Sequence, residues 1–237
     1  GIVCCSNGRK RTSMEEVIYL KNILLSIGIF PVFSNCIYKG EDDGNASARE
    51  RARALMNFYI DDEIEGIFDI SGGDIANGIL PYLNYKTIAD SSKMLWGYSD
   101  LTTVINAVYA KTGKKSGLYQ IRNLMYDDGE EQKKCFINTV IEGGNDLFRI
   151  SSRFIQKKEM KGVVAGGNIR CFLKLAGTEF LPDLRGKILL LESLHGTSAK
   201  IEAYLCQLQQ LGAFEKAAGI LLGTFTQMEA ENCIPTV

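Results

Sequence analysis

Through the first half of the chain, short apolar runs alternate with longer stretches whose apolar positions recur every three to four residues. Ile2–Cys5 reads as a strand, Met14–Gly28 as an amphipathic helix closed by Gly28, and Phe30–Phe33 as a second strand. Ala46–Phe58 predicts a helix with Arg49, Arg51 and Arg53 on a solvated face. Gly66–Ile70 and Lys93–Gly97 predict strands, each leading into a helix, over Ile75–Leu83 and Leu101–Ala110. A polar stretch from Asp127 to Lys134 follows, with Gly143–Asp146 and Lys157–Glu159 as connectors. The apolar pattern resumes at Val163. It predicts helices over Ile169–Ala176 and Ala199–Leu211 and strands over Lys187–Leu191 and Ala218–Leu222. This alternation implies right-handed crossovers and an α/β fold with a mainly parallel sheet flanked by helices. We place a domain boundary near residue 146, giving an N-terminal α/β domain (1–145) and a linker with a C-terminal domain (146–237). Ligands of such sheets bind outside the carboxyl ends of the strands.

Composition narrows the chemistry. The 237 residues carry 27 Lys+Arg against 28 Asp+Glu, a formal charge of −1. That balance lacks the electrostatic footprint of a sequence-independent nucleic-acid binder. No stretch approaches the ~20 apolar residues of a membrane span, and no signal-peptide pattern precedes Gly1. Seven cysteines, an odd number without C-x-x-C spacing, read as buried free thiols in a reducing cytoplasm. The single histidine, His195, excludes a His-rich zinc site, and no metal or cofactor is expected. The ends read as cut: Gly1 opens inside a buried-strand pattern, and the chain closes two residues after Pro235. We therefore expect the gene product to be longer.

Four segments can carry chemistry. In Trp96–Asp100 (WGYSD), a serine stands between a strand and a helix, the arrangement of a nucleophile elbow. Ser99 can equally cap the helix that follows. In Asp69–Asp74 (DISGGD), two glycines let a backbone N–H approach a ligand, as half of an oxyanion hole, or simply make a tight turn or an anion site. Gly166–Asn168 carries the same ambiguity. Glu192, at the end of the run Ile188–Leu191, can orient a histidine, cap a helix or pair with a cation. His195 lies only three residues further on, and is expected to be an exposed loop residue.

Taken in order, IVCCSNG (2–8), FDISGGDIANGILPYLNY (68–85), MLWGYSDLTTVINAVYAKTG (94–113), VAGGNIRCFLKLAGT (164–178), GKILLLES (186–193) and LQQLGAFEKAAGILLGTF (208–225) resemble the serine LD-carboxypeptidases. This is the muramoyl-tetrapeptide carboxypeptidase family that also holds the microcin C immunity peptidases. The resemblance implies an N-terminal α/β domain joined to a smaller β-rich C-terminal domain, here partial. It makes Ser99 the nucleophile and Glu192 the residue that orients the general base. It assigns the oxyanion hole to the backbone N–H groups of Gly73 and Asp100. The family's catalytic histidine follows the LLGTF stretch by a few tens of residues, so its counterpart is expected beyond residue 237.

The implied activity is release of terminal D-Ala from muropeptide tetrapeptides in cell-wall recycling. An alternative within hydrolases is a microcin-immunity type peptidase that cuts aminoacyl-nucleotide conjugates. A different class altogether is a non-catalytic α/β module whose glycine turns hold an anion. Arg170, Arg122 and Asn168 are candidates to read the D-Ala carboxylate. The expected partners are a small peptide or muropeptide and a second copy of the chain as a homodimer, with neither nucleic acid nor membrane.

Overall fold

A computed structural model describes residues 1–126, 128–156, 159–231 and 233. Within them, β1 (Ile2–Val3), α1 (Met14–Ser26), α2 (Ala48–Ile60), β2 (Gly66–Asp69), α3 (Tyr85–Asp90), β3 (Met94–Gly97), α4 (Thr102–Thr112) and β4 (Gly117–Leu118) build the first half. α5 (Gly129–Phe136) leads to the second half. There β5 (Val164–Asn168), α6 (Ile169–Leu173), β6 (Ile188–Ser193), α7 (Ser198–Gln210), α8 (Ala213–Lys216), β7 (Gly219–Phe225) and α9 (Thr226–Ala230) follow. All strand pairs are parallel, in the orders β1-β2-β3-β4 and β5-β6-β7. The expected α/β class with helix-flanked parallel sheet is what the chain adopts.

Local chemistry explains most of the elements. Helices cover both faces of the first sheet, so its central strands are apolar on both sides: Ile67, Phe68, Leu95 and Trp96 are all buried. Phe68 stacks on Trp96 with ring centroids 5.8 Å apart. α1 turns Val17, Leu20 and Leu24 inward at helical spacing. α2 begins with a capping box, in which Ser47 accepts from the Glu50 N–H while Glu50 returns to the Ser47 N–H.

Three sequence expectations need correction. The span Phe30–Phe33 is not a full strand. Pro31 offers no N–H, Phe30 is exposed, and only Phe33 bridges to Ile2. The segment expected as a helix over Ile75–Leu83 is a 3-10 helix, Ala76–Tyr82, with Pro81 inside it. Arg51 is not solvated. It is 4% exposed, and its guanidinium donates to the carbonyls of Cys5 and Ile75 beneath the first sheet's carboxyl edge. Of the connectors, Lys157 and Lys158 lie outside the described residues, as does Asp127 at the start of the polar stretch. All seven cysteines are free thiols; Cys4, Cys5, Cys36 and Cys171 are buried, whereas Cys206 is exposed. No helix among the described residues is long and apolar enough to cross a membrane.

The two sheets meet through α4. Asn106 turns its side-chain amide onto β5, donating to the Gly166 carbonyl and accepting from the Gly166 N–H, both at 2.8 Å. Thr102 Oγ1 accepts from the Asn168 N–H at 3.0 Å, and Thr103 Oγ1 donates to the Cys171 carbonyl at 3.1 Å. A side chain at 166 is impossible in this packing, because an added Cβ would lie 2.2 Å from the Leu190 carbonyl oxygen.

Candidate active site

Residues from the carboxyl ends of both sheets converge on one place. Ser6 and Asn7 follow β1, Ser71–Asp74 follow β2, and Ser99 follows β3. From the second sheet, Asn168 ends β5 and stands level with Glu192 near the end of β6.

Ser99 sits in the left-handed region at φ 57°. A non-glycine residue there costs about 1 kcal/mol or more, and such strain concentrates at functional turns. The capping alternative fails on geometry. α4 is preceded by Leu101 without a side-chain cap, and the short 3-10 helix Ser99–Leu101 likewise has none. Ser99 instead occupies the turn itself, half-exposed, between β3 and the helical start. The Asp100 N–H, directly after it, makes no backbone hydrogen bond among the described residues.

The Gly73 N–H is similarly unbonded among the described residues. Gly73 has φ 127°, and an added Cβ would lie 2.4 Å from the Asn7 side chain. Only glycine satisfies both conditions. Behind this turn is a chain of buried polar contacts. Asp69 accepts from the Cys5 N–H, the Ser71 N–H and the Ser71 hydroxyl, each at 2.6 Å. The Ser71 hydroxyl oxygen accepts in turn from the Ser6 N–H at 2.9 Å. Burial pushes the Asp69 carboxyl up to about 6 despite these donors.

The Asp100 side chain is fully buried and ionic. One oxygen accepts from Ser6 Oγ at 2.6 Å and from the Ala76 N–H at 2.8 Å; the other pairs with Lys174. Burial alone would raise this carboxyl. The hydrogen bonds from Lys174, Ser6 and Ala76 together outweigh it and hold Asp100 below its ordinary value. Lys174 also donates to the Asp74 carbonyl at 2.8 Å. Arg170, one helical turn earlier on α6, pairs with the Asp74 carboxylate and donates to the Gly73 carbonyl at 3.1 Å.

Glu192 is 8% exposed. Its Oε2 accepts from the Tyr98 hydroxyl at 3.3 Å, whereas Oε1 is buried with no partner among the described residues. Burial raises this carboxyl, and the neighbouring Asn168 and Tyr98 side chains only partly offset the effect. Neither alternative role fits: the residue before α7 is Thr197, and no cation pairs with Glu192 among the described residues. His195 is exposed in the loop after β6, as expected, with its carbonyl accepting from Ser193 Oγ at 2.6 Å.

Asp100 and the Gly73–Asp74 turn are therefore linked through Lys174 and Arg170, Glu192 is linked to Tyr98 directly before Ser99, and His195 stands apart. Of the three carboxylate-reading candidates, Arg170 is engaged by Asp74, and Asn168 Oδ1 caps α6 through the Cys171 N–H. Arg122 Nε is buried with no partner among the described residues. No cluster of three or more His, Cys, Asp or Glu side chains suited to a metal occurs among the described residues. Ser6, Tyr98 and Lys174 escaped the sequence reading. Their partners lie 94, 94 and 74 positions away in the chain, and no local pattern reports such contacts.

Comparison with known proteins supplies the remaining context. The profile of the LD-carboxypeptidase N-terminal domain matches residues 1–120, and that of the LD-carboxypeptidase C-terminal domain matches residues 161–236. A Treponema pallidum protein named as a carboxypeptidase is 29% identical over 223 residues, covering 84% of this chain and 66% of its own length. A Bacillus subtilis protein named as a murein peptide carboxypeptidase is 29% identical over 203 residues, covering 83% and 60%. The chain thus spans less than two thirds of the length of these curated relatives. The solved structure of MccF in complex with glutamyl sulfamoyl guanosine superposes with a TM-score of 0.81 at 22% identity, over 95% of this chain and 77% of that one.

Proposed function

The chain belongs to the LD-carboxypeptidase family, and on that premise we propose that it is a serine peptidase releasing terminal D-Ala from muropeptide tetrapeptides by cutting an L,D amide bond. The observation that carries this reading is the left-handed turn at Ser99, with the unbonded N–H of Asp100 beside it. Ser99 Oγ attacks the scissile carbonyl carbon, and its proton passes to an imidazole. The N–H groups of Gly73 and Asp100 hold the oxyanion. The C–N bond then breaks, the amine of D-Ala leaves with the proton from the imidazole, and an ester remains on Ser99. Water hydrolyses that ester by the same steps and restores the serine.

Glu192 is the residue that orients the imidazole. Its unpartnered Oε1 is the acceptor on offer, and burial keeps competing water away. The imidazole itself is assigned to sequence outside these 237 residues, since the one histidine here is exposed and outside the network.

The deciding experiment incubates the full-length protein in parallel with an L,D-tetrapeptide and with glutamyl sulfamoyl guanosine, and follows D-Ala and free glutamate by chromatography. D-Ala release at the higher kcat/KM is expected. Faster release of glutamate would instead make the protein a nucleotide-conjugate peptidase. Turnover of neither, with Ser99 inert to a fluorophosphonate, would leave an anion-binding module.

Replacing Gly73 by alanine follows directly from the mechanism. The new methyl collides with Asn7 and the positive φ becomes strained, so the donor amide moves. Removing one oxyanion donor costs ~10²–10³ in kcat, and we expect Gly73→Ala to fall in that range with KM little changed. Steady-state kinetics check it; a loss confined to KM would remove Gly73 from the hole.

A further inference from the structure

The two donor amides assigned to the oxyanion hole come from different loops, Gly73 after β2 and Asp100 after β3. Their spacing must be right to a fraction of an ångström, because both have to reach one oxygen at 2.7–3.1 Å. Among the described residues, no backbone ladder joins the two loops beyond the ends of their strands. A closed ring of polar contacts does. Lys174 Nζ holds the Asp74 carbonyl on one side and the Asp100 carboxylate on the other. The second Asp100 oxygen accepts from the Ala76 N–H, two residues beyond Asp74. The backbone from 74 to 76 completes the circuit. Arg170, on the helix that Lys174 caps, ties down the Gly73 carbonyl and the Asp74 carboxylate alongside it.

We propose that Lys174 and the Asp100 side chain are positioning residues that set the distance between the Gly73 and Asp100 amides, so that the oxyanion hole is assembled by a lysine reaching across from the carboxyl end of α6. This rests on the serine-peptidase reading above. The ring also has an electrostatic role. The fully buried Asp100 carboxylate lies on the residue whose amide meets the developing negative charge, and Lys174 cancels a repulsion that would otherwise raise the barrier.

The test uses the full-length protein with two variants. Lys174→Met alone would strand a buried carboxylate and is the change most liable to unfold, so the pair is neutralised together as Asp100→Asn/Lys174→Met. The second variant, Lys174→Arg, keeps the charge but presents a planar fork in place of a point donor. For the double variant we expect kcat on the tetrapeptide to fall about 10²-fold, the loss typical of a displacement near 1 Å in a catalytic group. KM should stay within about twofold, and fluorophosphonate labelling of Ser99 should slow by the same factor as kcat. Lys174→Arg should show the same signature with about a tenfold loss, since one of its two acceptors remains served. Wild-type kcat and labelling rate in both folded variants would overturn the proposal, as would a loss carried by KM alone. Failure of the underlying reading looks different: wild-type protein would then show no Ser99 labelling at all.

Discussion

Ser99→Ala is expected to lower kcat for tetrapeptide cleavage by about 10⁴-fold or more while leaving the fold intact. In serine peptidases, loss of the nucleophile alone removes nearly all of the catalytic advantage, as much as ~10⁶ in one well-measured case. The reason specific to this chain is that nothing else at the first sheet's carboxyl edge can substitute. Ser6 Oγ is committed to Asp100, and Ser71 Oγ to Asp69. Stability separates the two roles considered for this serine. A capping hydroxyl would cost ~1 kcal/mol when removed, but Ser99 makes no cap and alanine tolerates φ 57° about as poorly as serine does. The thermal midpoint should therefore stay close to wild type. A variant that keeps its rate but melts several degrees lower would return Ser99 to a structural role.

Glu192→Gln is the second large effect, expected near 10⁴-fold in kcat, as for neutralising the orienting carboxylate of a triad. Glutamine matches the volume, and its carbonyl oxygen can still accept from Tyr98. What changes is the position of Oε1, which a glutamine fills with an N–H₂ donor or leaves without charge. An imidazole held there loses both its orientation and its partner charge. The pH profile of the wild type follows from the same burial. In the proposed mechanism Glu192 works as a carboxylate, and desolvation raises its pKa. Its ionised fraction is therefore full at high pH and is lost as pH falls, beginning at a higher pH than for an exposed glutamate. The acid limb of kcat/KM should be displaced upward accordingly. Wild-type turnover by Glu192→Gln would remove the carboxylate from the mechanism.

Much of the scaffold could be read from the chain because its signals are local. Runs such as Gly66–Ile70 and Lys93–Gly97 are apolar on both faces, and a strand covered on both sides requires that pattern. The turn residues were legible for the same reason: a serine or a pair of glycines between strand and helix has few conformations open to it. Motif order then assigned Glu192 its expected role. The supporting residues were not legible. Lys174 looks like the polar face of a short helix, Arg51 like a solvated cation, and Asn106 like an ordinary helical residue. Each is defined by a contact 24 to 74 positions away. Phe30–Phe33 misled in the opposite direction, because apolar content alone does not supply the N–H groups that a strand needs.

One contact also bears on how the chain holds together. Asn106 supplies to Gly166 the donor and acceptor that a neighbouring strand would otherwise provide. In hydrogen-bonding terms α4 is an honorary strand at one margin of the second sheet. A cut at the proposed boundary near residue 146 would deprive β5 of that neighbour and leave an N–H and a C=O facing water along a glycine-rich margin. The converse also holds: the first half would keep Asn106 with nothing to answer it. Each half thus carries one side of a seam that only the intact chain closes, and the candidate site sits on that seam.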